Sequence, residues 1–452
     1  MKRDLTSGSV VKNLLYFSIP YLLSCFLQTF YGLADLFIIG LFNEAASTTG
    51  VSVGSQLTHM LTLIIAGLAM GSTVLIGNAV GSKNKKETSR IIGNSTFLFI
   101  IFAVVMTIVL VLLVDPILNL LSTPQEAMSE AHNYVLICFA GVPFITAYNV
   151  ISSIFRGLGD TKSPLVFVAI AGVFNVVLDY ILIGPGGMGA AGAAVATISA
   201  QAVSVIVSLI FLLKSRYGIK ISKSDIRPDK LLLKKILGIG VPVACQDGLI
   251  QVAFLVITAI ANGRGLEISA AVGIVEKVIT FLFLVPSAML ASVSALAAQN
   301  SGAGKHDRSI ATLKWALAIC VIYGAVTLVI CELCPAWIVS LFTNDNAVIT
   351  YGAQYLRGYA FDVMIAGVHF CLGGFFCAYG KSIYSFIQNI AAIVFVRIPG
   401  AYLASILFPE NLLPMGAAVP LGSLLSAIIA VIFFMHMKKK GMITTAEISA
   451  EK

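Results

Sequence analysis

Charge is what this sequence has least of. Of its 452 residues, 11% are Asp, Glu, Lys or Arg and 58% belong to the hydrophobic set; mean hydropathy is +0.96. A soluble domain carries roughly 25% charged residues. This chain cannot cover a water-facing surface, so a bilayer is its solvent. Strand-length alternation of apolar and polar residues does not recur, which argues against a membrane barrel. Phosphate-binding loops are lacking too. Gly380-Lys381-Ser382 ends like one, but the position needing the first glycine is Phe375. The run from Gly184 to Gly189 matches a dinucleotide pattern in letters only, because it joins two apolar stretches instead of following a strand. No cofactor is implied, and an ion gradient has to supply the energy for any transport. No nucleophile–base constellation suggests an enzyme.

Cysteines number eight, all inside apolar stretches. Cys331 and Cys334 have redox or metal spacing, but no second pair accompanies them, and packing accounts for them. The first apolar run, Leu14 to Leu41, is too long for a signal peptide and lacks a small-residue cleavage site. It reads as a retained membrane helix.

Stretches of about 20 apolar residues, the length that crosses hydrocarbon, recur at 14–40, 51–79, 91–114, 128–155, 163–184, 190–213, 236–262, 267–298, 310–333, 349–377, 383–407 and 416–437. The pattern predicts an all-α polytopic membrane protein with about twelve transmembrane helices. The longest polar interruption, 214–235, holds Lys214, Arg216, Lys220, Lys223, Arg227, Lys230, Lys234 and Lys235. It separates an N-lobe at 1–213 from a C-lobe at 236–452, whose end is a cytoplasmic tail.

The net charge of +8 raises the question of a nucleic-acid partner, and its placement answers it. Even-numbered connections and both ends collect the bases, including Lys2, Arg3, Lys83, Lys85, Lys86, Arg156, Lys305 and Arg308. Odd-numbered connections carry mainly acids such as Glu44, Glu126 and Asp345. Under the positive-inside rule both termini are cytoplasmic. The charge reports topology and calls for no RNA or DNA.

The two lobes resemble each other. Tyr134-Val135-Leu136 aligns with Tyr355-Leu356-Arg357, and Phe155 to Gly159 with Phe376 to Gly380, both at an offset of 221. Pro20 and Pro242 pair at 222, and Met188-Gly189-Ala190-Ala191 pairs with Met415-Gly416-Ala417-Ala418 at 227. Six helices per repeat make the repeats parallel, the arrangement of an alternating-access transporter. Prolines 20, 143, 242, 286 and 399 mark expected helix bends or tolerated interruptions.

Polar groups inside spans carry the chemical information, since a charge at the bilayer centre costs at least about 2.5–3.5 kcal/mol. Gln28, Tyr31 and Asp35 share one face of the first span; Asn175 and Asp179 share one face of the fifth. Asp35 and Asp179 lie 21 and 16 residues from the starts of their spans at 14 and 163, and Thr197 lies seven into a descending span from 190. At 1.5 Å rise per residue these positions come to similar depth. Such a set suits a proton or Na⁺, or else a purely structural hydrogen-bond cluster. The repeat acts as a control: the partner of Asp179 is Gly400 and that of Asp35 is near Ile257. The second lobe folds without these acids, which favours function. That lobe has its own membrane charges, Asp247, Glu276, Lys277 and Arg397, with Asp362 and His369 in the tenth span. Neutral ion pairing between helices explains the first four, with a second cation or drug site as the alternative. His59 reads as a packing histidine.

These residues resemble the multidrug and toxic compound extrusion (MATE) family. The resemblance rests on Pro20 followed by Asp35 in Leu33-Ala34-Asp35-Leu36-Phe37-Ile38-Ile39-Gly40, on Phe155-Arg156-Gly157-Leu158-Gly159-Asp160, and on Asn175-Val176-Val177-Leu178-Asp179. It covers nearly the whole chain. It implies twelve helices in two lobes, export of organic cations in exchange for Na⁺ or H⁺, and a coupling site of Asp35, Asn175, Asp179 and Thr197. It also implies that Gln28 and Tyr31 face the substrate cleft and that helix 1 bends at Pro20. The family's C-lobe acid pair is not matched in spacing by Asp247 and Asp362. The expectation is therefore a monomeric antiporter of a bacterial plasma membrane, with small organic cations and membrane lipid as its partners. A flippase for lipid-linked oligosaccharides is the runner-up, ahead of a channel or an intramembrane enzyme.

Overall fold

A computed structural model describes residues 4–214, 222 and 225–443. Lys2, Arg3, Arg216, Lys220 and Lys223 lie outside the described residues. Every regular element among the described residues is helical. A backbone in lipid has no water to bond, and a helix satisfies its N–H and C=O groups internally.

The chain divides into two compact units. The first runs from Ile19 to Leu237. It contains α1 (Val10–Phe42) from Ile19 onward, α2 (Ala45–Gly81), α3 (Lys85–Leu112), the short α4 (Val114–Leu120), α5 (Met128–Ala140), α6 (Val142–Gly157), α7 (Lys162–Ile183) and α8 (Gly189–Lys214). The second combines Asp4–Ser18 with Gly238–Lys452. It holds most of α9 (Lys230–Asn262), then α10 (Leu266–Leu282), α11 (Leu284–Gly302), α12 (His306–Leu333), α13 (Pro335–Ser340), α14 (Asn346–Ala378), α15 (Ser382–Ala392), α16 (Ile398–Leu407) and α17 (Leu413–Lys439). Eleven helical stretches among the described residues are long and apolar enough to cross a membrane. The bent pair Gln125–Ala140 and Val142–Gly157, at 49° to each other, makes a twelfth.

Prolines explain the interruptions. A proline lacks the N–H of the helical ladder and clashes with the preceding turn. Pro143 and Pro399 stand in the first turns of α6 and α16, and Pro286 comes just after a one-residue break at Phe283. Pro20 and Pro242 sit inside continuous helices. The motif at 155–160 is a helix end and a helix start in succession. Gly159 takes φ +87, a left-handed value that suits glycine. Asp160 Oδ1 then accepts from the backbone N–H of Lys162 and Ser163 at 3.0 and 3.1 Å, capping α7. Gly380, the repeat partner, has φ +70.

The unit boundaries differ from the lobe boundaries drawn on the sequence at both starts. Residues 4–18 belong to the second unit, where Lys305 Nζ donates to Thr6 O at 2.8 Å and Arg308 Nη1 to Gly8 O at 2.9 Å. The described residues of the polar linker belong to the first. Arg90 pairs with Asp229 at 2.5 Å and Asn94 Nδ2 donates to Asp225 O at 3.3 Å, fastening the linker to the start of α3. A hydrophilic segment reads as a tether in sequence; here hydrogen bonds make it part of a packed unit.

Candidate ion-coupling site

In the first unit, α1, α7 and α8 bring their polar residues together. Asp35 is 4% exposed, Asn175 1% and Asp179 0%. Asp35 faces Asp179, Thr197 and Asn175, and Thr197 Oγ1 donates to Asp35 Oδ2 at 3.2 Å. The rest of the set has no hydrogen bond: Asp35 Oδ1, both oxygens of Asp179, and Oδ1 and Nδ2 of Asn175 are buried and unpaired. Nearly every buried polar atom in a folded protein has a partner. A buried carboxylate pair that receives a single hydrogen bond is stable only when a proton or metal ion neutralises part of its charge. The unpaired oxygens are the hard donors that a small cation prefers. No group of three His, Cys, Asp or Glu residues able to hold a metal occurs among the described residues, so a metal ion here would need the amide and hydroxyl oxygens as well.

Sequence reasoning missed Tyr134. This side chain, 2% exposed, meets the Thr197 hydroxyl and lies close to Asp35 and Asp179. Gly54 on α2 makes room for it: a Cβ there would fall 2.2 Å from Tyr134 Cδ1. A chain of contacts thus runs from Gly54 through Tyr134 and Thr197 to Asp35. The signal was available in the sequence, since Tyr134 is repeated as Tyr355 at the offset of 221.

Gln28 and Tyr31 extend the cluster along α1. Gln28 meets the Tyr148 hydroxyl. Tyr31 packs against Gly172, whose Cβ would lie 3.2 Å from its ring, and neighbours Tyr148 and Asp35. Tyr148 on α6 is a second residue that sequence reasoning missed. Further along, the Arg156 guanidinium stands 5.5 Å over the Tyr21 ring.

The second unit corrects the ion-pairing expectation. No ion pair joins Asp247, Glu276, Lys277 and Arg397 among the described residues. Glu276 instead accepts from Thr258 Oγ1 at 2.9 and 3.1 Å, Lys277 is exposed, and Asp247 is half-buried on α9. Arg397 Nη2 donates to Ser423 Oγ at 2.6 Å, and its charged neighbour is Asp362. Matching formal charges said nothing about which helices bring them near each other. His59 is exposed on α2, where a packing histidine would be buried. Cys331 is buried and Cys334 exposed; the close sulfur pair is Cys320 and Cys371, at 3.6 Å.

Repeated helical halves, eleven to twelve membrane-length spans among the described residues and a buried polar cluster define a multi-pass membrane transporter. The MatE family profile matches residues 20–181 and again residues 242–403. The chain belongs to this family, whose members are transporters rather than enzymes. It is 26% identical over 444 residues to the probable multidrug resistance protein YoeA of Bacillus subtilis, covering 96% of each chain. To the probable multidrug resistance protein YpnP of the same organism it is 27% identical over 440 residues, covering 97% of this chain and 98% of the relative. A solved MOP superfamily transporter from Pyrococcus furiosus shares the fold with a TM-score of 0.90 and 21% identity, covering 97% and 98% of the two chains.

Proposed function

We propose that this protein is a cation-coupled antiporter that exports small organic cations from a bacterial cell by alternating access. The carrying observation is the buried Asp35–Asp179 cluster, with its unpaired carboxyl oxygens and the hydroxyl and amide of Thr197 and Asn175 beside them. A proton or Na⁺ reaching this cluster removes negative charge that would otherwise attract a cationic substrate. A substrate occupying the neighbourhood opposes ion binding in turn. Antiport results when the protein switches readily only with one of the two bound. The names of the Bacillus relatives agree with a small-molecule substrate. A flippase for lipid-linked saccharides would line its cleft with several arginines; here the main deep one, Arg397, is buried against Ser423.

The test is export of a fluorescent organic cation from proteoliposomes on which pH and Na⁺ gradients are imposed separately. At least one gradient is expected to drive uphill export. Movement under neither, or an ohmic current recorded by electrode, rejects antiport.

This reading places both termini in the cytoplasm. In a variant cleared of the native cysteines, single cysteines at Glu44, Glu126 and Asp345, all exposed, are expected to react with an impermeant thiol reagent from outside intact cells. Cysteines at Lys85 and Asp307, also exposed, are expected to react only after the cells are opened. Labelling of both sets from the same side overturns the topology.

A further inference from the structure

The flank of the second unit where α12, α13 and α14 meet carries a cavity that the coupling cluster does not use. Its volume is about 580 Å³, and its lining includes the apolar Leu333, Pro335 and Trp337 and the polar Thr350, Gln354 and Arg357. Beyond the cavity the flank is apolar: Ile322, Val326, Ile330 and Leu333 on α12 are each more than half exposed. Their spacings of four, four and three residues make one stripe. On a membrane helix an exposed apolar stripe faces lipid.

Tryptophan places the cavity at a membrane boundary. The chain has two, Trp315 near the start of α12 and Trp337 in α13, and both side chains are exposed. Leu333, the last residue of α12, lies 18 residues beyond Trp315, about 27 Å of helix. The hydrocarbon core is about 30 Å thick, and tryptophan is enriched at both of its edges. Trp315 therefore marks one edge and Trp337 the other.

Two opposite charges meet beside Trp337. Glu332 sits in the last turn of α12 and Arg357 faces it from α14, their side chains 38% and 49% exposed. Arg357 Nε comes no closer to Glu332 Oε2 than 3.8 Å, and Nη2 donates to Glu332 O at 3.5 Å. A charge-assisted hydrogen bond runs at about 2.7–2.9 Å, so both groups keep capacity for a third party. The fold does not require them: at the repeat offset of 221, Glu332 corresponds to Val111, Arg357 to Leu136 and Trp337 to Pro116.

We propose that this cavity binds an ethanolamine phospholipid, its phosphate on Arg357 and its primary ammonium on Glu332. The guanidinium donates to phosphate oxygens in a fixed fork, and the ammonium donates to the Glu332 carboxylate. The glycerol region lies against Trp337, and one acyl chain follows the stripe from Leu333 to Ile322. Charge complementarity selects this headgroup. A purely anionic headgroup gains Arg357 but is repelled by Glu332. A choline headgroup has the right balance of charge, yet its quaternary nitrogen has no N–H to donate. The site stands whether or not the Asp35–Asp179 cluster couples an ion.

The experiment uses full-length protein carrying Trp315→Phe, which leaves Trp337 as the single tryptophan, in bilayers of an unlabelled choline phospholipid. Ethanolamine, choline or glycerol phospholipid brominated on the acyl chain is titrated in, and quenching of Trp337 fluorescence is recorded. The ethanolamine lipid is expected to reach half-quenching at about fivefold lower mole fraction than the other two, the upper end for one exposed charge pair. Glu332→Gln is expected to bring it to the choline value, and Arg357→Gln to weaken all three lipids. Arg357→Lys, which keeps the charge, is expected to retain the ethanolamine preference. Soluble phosphoethanolamine, which has no chain to lay on α12, leaves the quenching unchanged. Equal half-quenching by the three lipids, strongest quenching by the glycerol lipid, displacement by phosphoethanolamine, or an ethanolamine preference that survives Glu332→Gln overturns the proposal.

Discussion

Asp35→Asn, and separately Asp179→Asn, are expected to reduce gradient-driven export to the background of empty liposomes. The protein should remain folded and inserted. Asparagine keeps the shape of aspartate and one acceptor oxygen, so Thr197 Oγ1 retains a partner for the bond it now makes to Asp35 at 3.2 Å. Neither change strands a buried charge, because the two carboxyls face each other and removing one relieves repulsion. Thermal unfolding should therefore occur at or above the wild-type temperature, which separates loss of function from loss of fold. Glu276→Gln provides the control: Glu276 is held by Thr258 in the second unit, and export should stay close to wild type. If Glu276→Gln is folded but inactive while both first-unit variants still export, coupling resides in the second unit.

Equilibrium binding of a fluorescent organic cation to purified protein is expected to weaken as pH falls or as Na⁺ rises, whichever ion couples. Direct competition sets the size. Once the competing ion saturates its site, each tenfold rise in its concentration lowers apparent affinity about tenfold, or about 1.4 kcal/mol. One pH unit on the acid side of the titration therefore has the same effect as a tenfold rise in Na⁺ at saturation. Asp35→Asn should flatten this dependence, because a single remaining carboxyl no longer has to shed charge before the substrate leaves. The measurement runs from about pH 5 to about pH 8, with and without Na⁺. Equal sensitivity in wild type and Asp35→Asn would falsify the competition.

The first unit's acids were legible because spacing and depth could be read together. A face repeats every three or four residues, and the helical rise brings Asp35, Asp179 and Thr197 to one level. Tyr134 was not, because tyrosine in a membrane helix is ordinary packing until its hydroxyl is known to meet Thr197. Arg397 shows a different gap. Its charge was visible, but its direction comes from a π turn that adds a residue to one helical turn and rotates the side chain toward Gly422 and Ser423. Periodicity assumes a regular helix and therefore misplaces the residues at and beyond such a turn. The membrane spans were legible from apolar length alone, and Pro143 marked the place of the 49° bend, though not its angle.

The unit boundaries have a consequence for the duplication itself. Each half of the sequence contributes its opening segment to the other half's unit. Residues 4–18 pack with the second, and the described linker and the start of α9, through Leu237, pack with the first, where Ile236 O stands so near Gly71 that a Cβ would fall 2.2 Å away. This is domain swapping carried out within a single chain. A fragment ending at 213 would lack the piece that Arg90 and Asn94 hold, and one beginning at 238 would lack the arm that Lys305 and Arg308 hold. The halves are alike in descent yet not interchangeable parts: each can be completed only by its sibling.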